Sequence, residues 1–360
     1  MNIYSNDNNK YQRIAKFMSI ALVAMYAIVP LILNELGIYS IPWAEENFFY
    51  SLSLIFILFT LPLYDFKTYF FRFDFKENYF PKTVLLFFAC TICFYLWGWH
   101  DDRESIGASL SALFRAFWLL FCFCFVNASE RKKLFLLFLT AILVFIDQSR
   151  TYFMIAFFVL SLSSKNKKVY FSIGLAAILL VAAVRVESNI SGIQILTYGI
   201  VGEGYNGAKS IGQVLQLDLS SFSASEHLLL TFLQPIYLPF QMIGNGLFSL
   251  GFPSQADSLG ALTRNQLGET LSPMGGWYIL SDFIIYKHIG IVYMFVYIHW
   301  LWWLCNRIFN TRYFPIGAFL FFLAIKATPF VFFKMMLYIF IIASLLTFLG
   351  AYKDKKRLLL

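Results

Sequence analysis

The sequence predicts an all-α polytopic membrane protein with about ten transmembrane helices, and three observations lead to this fold class. The 360 residues are 59% hydrophobic, with a mean hydropathy of +0.68. Only 13% are charged, whereas soluble domains are about 25% charged. The apolar residues are grouped in stretches that approach the ~20 residues a helix needs to cross a bilayer. We therefore expect a single integral membrane domain over residues 1–360.

Ten hydrophobic stretches are the expected spans. Their approximate bounds are 17–33, 48–64, 83–99, 107–126, 134–146, 151–162, 169–184, 288–305, 313–328 and 330–349. The fifth and sixth are short, and Asp147-Gln148-Ser149-Arg150 lies between them. We predict two short helices that meet at Arg150, below the outer surface, where protein or a wet cavity must cover the non-helical backbone.

The distribution of lysine and arginine predicts that both termini are cytoplasmic. With this orientation the inner segments hold most of the 28 basic residues, including Lys10, Arg13, Lys16, Lys67, Arg72, Lys76, Lys82, Arg131, Lys132, Lys133, Lys165, Lys167, Lys168, Arg307 and Arg312. Outer segments carry acids instead, such as Glu45, Glu46 and Asp101. This is the positive-inside pattern. The net charge of +8 therefore reflects orientation in a membrane rather than nucleic-acid binding.

Cysteines and short motifs give no sign of a metal or a cofactor. All five cysteines lie within the expected spans, so we expect no disulfide. The chain contains no P-loop, GxGxxG or HExxH motif. We expect a protein without metal or cofactor.

Residues 185–277 form the one long segment between spans, and we expect a large, partly helical periplasmic loop. Residues 208–219 place apolar side chains at helical spacing, which predicts an amphipathic helix lying on the membrane; these are Ile211, Val214, Leu215 and Leu219. Residues 244–276 are rich in Gly, Ser and Pro, as expected for the wall of a polar site. A loop of this length is usually functional, and we interpret it as a lid over the outer face.

Three arginines, Arg150, Arg185 and Arg264, lie on the predicted outer side, where short loops usually avoid arginine. A guanidinium group binds phosphate oxygens with two parallel hydrogen bonds. The three arginines therefore indicate a phosphate-bearing lipid as ligand, and headgroup contact is the alternative for each of them.

Two short motifs stand out in the predicted outer segments. One is the turn Asp147-Gln148-Ser149-Arg150-Thr151. The other is the Gly-Glu-Thr-x-Ser-Pro-x-Gly-Gly-Trp-Tyr run that begins at Gly268. Both resemble motifs of the O-antigen polymerase family. Arg264 followed by Gly275 also fits an Arg-x10-Gly pattern of the family's outer loops, although Arg185 lacks the matching glycine.

The resemblance implies a glycosyltransferase C-like fold in the bacterial inner membrane and a glycosyl transfer at its periplasmic face. Donor and acceptor would be oligosaccharide repeat units on undecaprenyl pyrophosphate, and the product would be O-antigen polysaccharide. Arg264, Arg150 and Arg185, with Lys209, would stabilise the leaving pyrophosphate. A carboxylate would accept the proton of the attacking hydroxyl. The candidates are Glu203, Glu269 and Asp282, of which Glu269 is favoured because it follows Arg264 in the same Gly-rich loop.

Three further side chains belong to the expected substrate site, namely Arg115, Asp282 and Tyr278. Arg115 lies near the middle of the fourth span, where a charge is costly. It contacts pyrophosphate or forms an ion pair with Asp147 or Asp282. Tyr278, like Tyr205, stacks on sugars or anchors the interface.

Trp300, Trp302 and Trp303 are expected to form an aromatic belt at the inner end of the eighth span.

Two other functions remain open. An O-antigen ligase shares this architecture, but ligases typically carry a His-Asn pair in the outer loop, and the chain contains none. A flippase or transporter for the lipid-linked glycan usually has two related halves, and no half-repeat is visible. Membrane lipids and a chain-length regulator protein are candidate partners, and nucleic acid is not.

Overall fold

The computed structural model describes an all-helical arrangement. The described residues are 3–66, 69, 126, 128–135, 138, 168–169, 172–173, 204–205, 207–220, 222–226, 229, 233, 262, 265–268, 284–286, 288–309, 312–326, 336–337, 340 and 344. Within these ranges there is no β-strand. The third to seventh and the tenth expected spans lie almost entirely outside the described residues.

The first helical unit begins well before the hydrophobic stretch that predicted it. Helix α1 covers Ile3–Val23, a π turn covers Ala24–Ile28, and α2 covers Val29–Glu35. In the π turn the Val29 amide donates to the Ala24 carbonyl, five residues earlier. Pro30 follows and has no N–H to donate. The helical path therefore changes its hydrogen-bond pattern where the proline interrupts it.

A tight turn ends α2 and leads into the next helix. Gly37 adopts a φ of +72°, the left-handed conformation that commonly ends helices. The Ile38 amide donates to the Leu33 carbonyl at 2.9 Å. The Asn34 side-chain oxygen accepts a hydrogen bond from the Ile41 amide at 2.6 Å. These bonds fold the chain back toward α2.

Helix α3 covers Ala44–Thr60 and starts at Trp43, which adopts a left-handed φ of 54°. Glu45 and Glu46 lie in its first turn, where the helix dipole favours negative charge. At its other end the Lys16 ammonium donates to the carbonyls of Phe59 and Leu61, at 2.6 and 2.9 Å. α3 is therefore antiparallel to the first helical unit, and a cation from α1 caps its C-terminal end.

The two C-terminal helices complete the described core. Residues 207–216 form helix α4, His288–Ile308 form α5 and Phe314–Lys326 form α6. Trp302 of α5 is fully buried and packs edge-on against Phe321, with ring centroids 4.9 Å apart. Its indole N–H donates to the Pro62 carbonyl at 2.7 Å. The expectation that Trp302 belongs to an interfacial belt is therefore wrong, because its side chain is fully buried among the helices.

The described helices have two chemically different ends. The acidic end carries Glu35, Glu45 and Glu46, and the basic end carries Lys10, Arg13, Lys16 and Arg307. At the basic end, the Gln12 amide donates to the Tyr64 carbonyl at 2.6 Å and accepts from the Tyr64 amide at 2.8 Å. The Arg307 guanidinium lies 5.0 Å from the Phe66 ring centroid.

Among the described residues, two helical segments are long and apolar enough to cross a membrane, namely Asn9–Glu35 and Ile289–Ile308. The apolar segment of α6 is shorter. Large apolar side chains are exposed along single faces of α3 and α5, including Leu52, Phe56, Val292 and Val296. Faces of this kind suit an apolar surrounding rather than water.

Candidate functional site

Of the eight expected site residues, Lys209 alone belongs to the described part of the chain. The other seven lie outside the described residues; they are Arg115, Arg150, Arg185, Arg264, Glu269, Tyr278 and Asp282. Glu203 lies outside them as well. The structure does, however, describe the chain next to several of these residues, and this local framework defines the candidate site.

Lys209 lies on α4, the helix predicted from the spacing of Ile211 and Val214. Both of these side chains are buried. Ser210 and Gln213 are also buried, at 1% and 4% exposure. A helix lying on a membrane would keep such polar side chains in water. Protein therefore surrounds α4 on several sides, and Ser210 and Gln213 do not form the exposed polar face that the amphipathic pattern predicts.

Close backbone contacts fix α4 beside the acidic end. The Asn47 side-chain amide of α3 donates to the Ala208 carbonyl at 2.8 Å, in a buried hydrogen bond. Gly212 packs against the Pro42 carbonyl so closely that a Cβ there would overlap it. Just before α4, a Cβ on Gly204 would lie 2.5 Å from the Tyr26 carbonyl oxygen. The small residues permit contacts that larger side chains would block.

Lys209 follows Ala208 directly in the chain, and its side chain is half-buried. Tyr205, on the preceding helical residues, stacks on Tyr39 with ring centroids 4.5 Å apart. Tyr39 therefore covers one face of the Tyr205 ring, and only the opposite face can serve as a platform for a sugar.

Beyond the C-terminal end of α4, a second glutamine bonds both backbone groups of one distant residue, as Gln12 does, and this pair of hydrogen bonds is the Gln266 clamp. The Gln266 side-chain amide donates to the Asp218 carbonyl and accepts from the Asp218 amide, both at 2.8 Å. Leu262 and Leu267 pack against the hydrophobic core. Residues 265–267 are helical, and Gly268 ends this turn with a φ of +65°. The first glycine of the Gly-Glu-Thr run thus occupies a conformation that suits glycine.

The chain after α4 is tied to the start of α5. The Ser223 hydroxyl accepts a hydrogen bond from the Glu226 amide at 3.3 Å, as an N-cap residue does. The Tyr286 hydroxyl donates to the Ala224 carbonyl at 3.1 Å. Residues 204–226 therefore contact the first helical unit, α3 and the segment before α5.

The described part of the chain offers no metal site, because no three His, Cys, Asp or Glu side chains within it are grouped to hold an ion. Sequence reasoning missed two residues that organise the site, Asn47 and Gln266. Neither stands in a recognisable motif, and each binds a backbone group distant in sequence. Knowledge of the three-dimensional neighbours is needed to find such residues.

The chain matches no protein-family model, and no curated protein or solved structure shows significant similarity to it.

Proposed function

We propose that this chain is an O-antigen polymerase that joins oligosaccharide repeat units carried on undecaprenyl pyrophosphate. The observation that carries the proposal is the pair of hydrogen bonds between the Gln266 side chain and Asp218, just beyond the helix that bears Lys209. Residues 265–268 lead directly into the Gly-Glu-Thr run that resembles the family. The two hydrogen bonds thus connect the start of the family-like motif to the chain that follows the Lys209 helix.

The proposed location is the bacterial inner membrane, with the acidic end in the periplasm and about ten spans in all. Two long apolar helical segments support membrane insertion. The basic end carries Lys10, Arg13, Lys16 and Arg307, which supports a cytoplasmic position by the positive-inside rule. Lys209 and the 265–268 segment would then face the compartment where lipid-linked repeat units are polymerised.

The proposed reaction is displacement at the anomeric carbon of the donor glycan. A hydroxyl oxygen of the acceptor sugar forms the new glycosidic bond, and the bond from the anomeric carbon to the pyrophosphate oxygen breaks. Glu269 accepts the hydroxyl proton. Undecaprenyl pyrophosphate leaves with its negative charge, which Arg264, Arg150, Arg185 and Lys209 stabilise. Such fixed cations contribute most where water is scarce.

Deleting the gene and characterising the lipopolysaccharide of the mutant strain tests this function. A polymerase null strain should make core that carries a single repeat unit, and the cloned gene should restore the long ladder. Loss of every repeat unit from the core would identify a ligase instead. Accumulation of lipid-linked units on the cytoplasmic leaflet would identify a transporter.

A further inference from the structure

Gln266 combines a solvent-exposed position with two hydrogen bonds to a single distant residue. Its amide donates to the carbonyl and accepts from the amide of Asp218, 48 residues earlier in the chain. A primary amide has a donor and an acceptor side by side, which match the N–H and C=O of an extended residue. Glutamate lacks the donor, and asparagine is one methylene shorter.

The clamp is well placed to limit the motion of the chain around it. Leu267 packs against the core from the neighbouring position, and Leu262 does so four residues before Gln266. Gly268 then turns the chain with its φ of +65° and has open space around its Cα. Arg264 and Glu269 are two residues before and three residues after Gln266. Because each residue extends the chain by at most ~3.6 Å, fixing Gln266 restricts where their backbone can lie.

We propose that Gln266 is a positioning residue that holds residues 265–268 against the chain leaving α4. This inference rests on the proposed function, because it assigns Gln266 the task of placing Arg264 and Glu269 for glycosyl transfer. Gln266 itself touches backbone and performs no step of the reaction. Its hydrogen bonds join residues 265–268 to Asp218, just after α4, and Asn47 links α4 to α3. Residues 265–268 are thereby connected to the helical core.

The chain provides a chemically matched control at the opposite end of the helices. Gln12 makes the same pair of hydrogen bonds, in its case to the amide and carbonyl of Tyr64. Gln12 is fully buried, so its loss should disturb the fold more than loss of Gln266 does. Asn265 is exposed next to Gln266 and serves as a local control. Gln12 lies at the opposite end from the proposed site, and the Asn265 side chain has no proposed role in binding or catalysis.

The experiment compares Gln266→Leu, Gln266→Glu, Gln12→Leu and Asn265→Ala in the full-length chain. Membrane vesicles from the null strain, loaded with its own lipid-linked repeat units, report the polymerisation rate per folded molecule. Gln266→Leu should lower this rate about 10- to 100-fold, the usual consequence of misplacing catalytic groups by about 1 Å. The polymerisation rate of Gln266→Glu should lie between those of Gln266→Leu and wild type. Gln12→Leu and Asn265→Ala should stay within about twofold of wild type once normalised to folded protein.

Hydrogen exchange of peptides containing Asp218 gives a readout that does not depend on activity. Gln266→Leu should speed exchange of the Asp218 amide about 10-fold, because its acceptor is removed. Faster exchange with an unchanged polymerisation rate would overturn the positioning role while leaving the proposed function intact. An equal loss of rate in Gln12→Leu would also overturn the positioning role, because a general loss of structural stability would then explain both rate losses. Wild-type vesicles that make no polymer would refute the proposed function itself.

Discussion

The Asn47 side-chain amide donates a hydrogen bond to the Ala208 carbonyl at 2.8 Å, across 161 positions of sequence. The bond is buried, and Asn47 has no exposed surface. It joins α3 to the helix that carries Lys209. A hydrogen bond of this kind contributes about 0.5–1.5 kcal/mol net, so this contact contributes to stability and also fixes the position of α4.

We expect Asn47→Leu to lower the thermal unfolding midpoint of the detergent-solubilised chain, with a loss of about 0.5–1.5 kcal/mol from the lost hydrogen bond to the Ala208 carbonyl. Tryptophan fluorescence during heating measures the midpoint. Ser53→Ala in the same helix is the control, because the Ser53 hydroxyl makes only a local, exposed bond to the Phe49 carbonyl. Equal midpoints for the two variants would contradict the importance of the Asn47 contact.

Two helical glycines should respond differently to the same substitution. Gly212→Ala should destabilise the chain, because the new Cβ meets the rigid Pro42 carbonyl. Overpacking of this kind costs about 1–3 kcal/mol, which outweighs the ~1 kcal/mol gained when alanine replaces glycine in a helix. Gly317→Ala should cost less, because its Cβ meets the Phe309 side chain rather than backbone. The same thermal assay compares the two, and a larger loss at Gly317 would show that the ring cannot yield.

Reporter fusions test the proposed membrane orientation. Fusions after Asp74, Lys132, Lys167 and Arg312 should report a cytoplasmic position, because basic residues cluster in these segments. Fusions after Asp102, Ser220 and Asp257 should report the periplasm. Alkaline phosphatase and green fluorescent protein give complementary signals. A cytoplasmic signal at Ser220 would put the candidate site on the wrong side of the membrane.

Arg264 is the side chain that the proposed chemistry needs most. Arg264→Ala should abolish long polymer, and Arg264→Lys should restore little, because an ammonium cannot reproduce the planar fork of a guanidinium. The expected loss is about 2–4 kcal/mol of transition-state stabilisation, roughly 30- to 1000-fold in rate. The lipopolysaccharide ladder of the complemented null strain measures it at matched protein levels.

Arg13→Ala, an exposed arginine of α1 at the basic end, is the control for loss of a positive charge. Its ladder should match that of wild type. A wild-type ladder from Arg264→Ala would remove Arg264 from the site and leave Arg150 and Arg185 as the candidate pyrophosphate ligands.

Hydropathy predicted the helices better than it predicted their ends. The stretches 17–33 and 288–305 coincide with parts of the first helical unit and of α5. Helix α1 nevertheless starts at Ile3, because Gln12 and Lys16 find partners in the last turn of α3 and just after it and keep a polar segment helical. Apolar periodicity carries no information about such distant partners.

The polar interior was the other part that sequence reasoning could not reach. Apolar spacing predicted that 208–219 is helical, and the structure places a helix at 207–216. The burial of Ser210 and Gln213 went unpredicted, because polar side chains are ordinarily assigned to the exposed face. Likewise, the resemblance pointed to Arg264 and Glu269, but the intervening Gln266 is recognisable only from its contact with Asp218.

The π turn at Ala24–Ile28 holds one residue more than the α-helix around it needs, since the Val29 amide bonds the Ala24 carbonyl five residues earlier. Removing one residue there would leave an ordinary α-helical turn, and the parts on either side would keep nearly the same angular relation. Removing one residue from the regular part between Lys16 and Val23 would instead turn Gln12 and Lys16 by about 100° around the helix axis relative to the part that follows. They would then lie away from Tyr64 and Phe59, although none of these four residues had changed. The π turn thus tolerates a change in chain length that the regular helix on its N-terminal side would not.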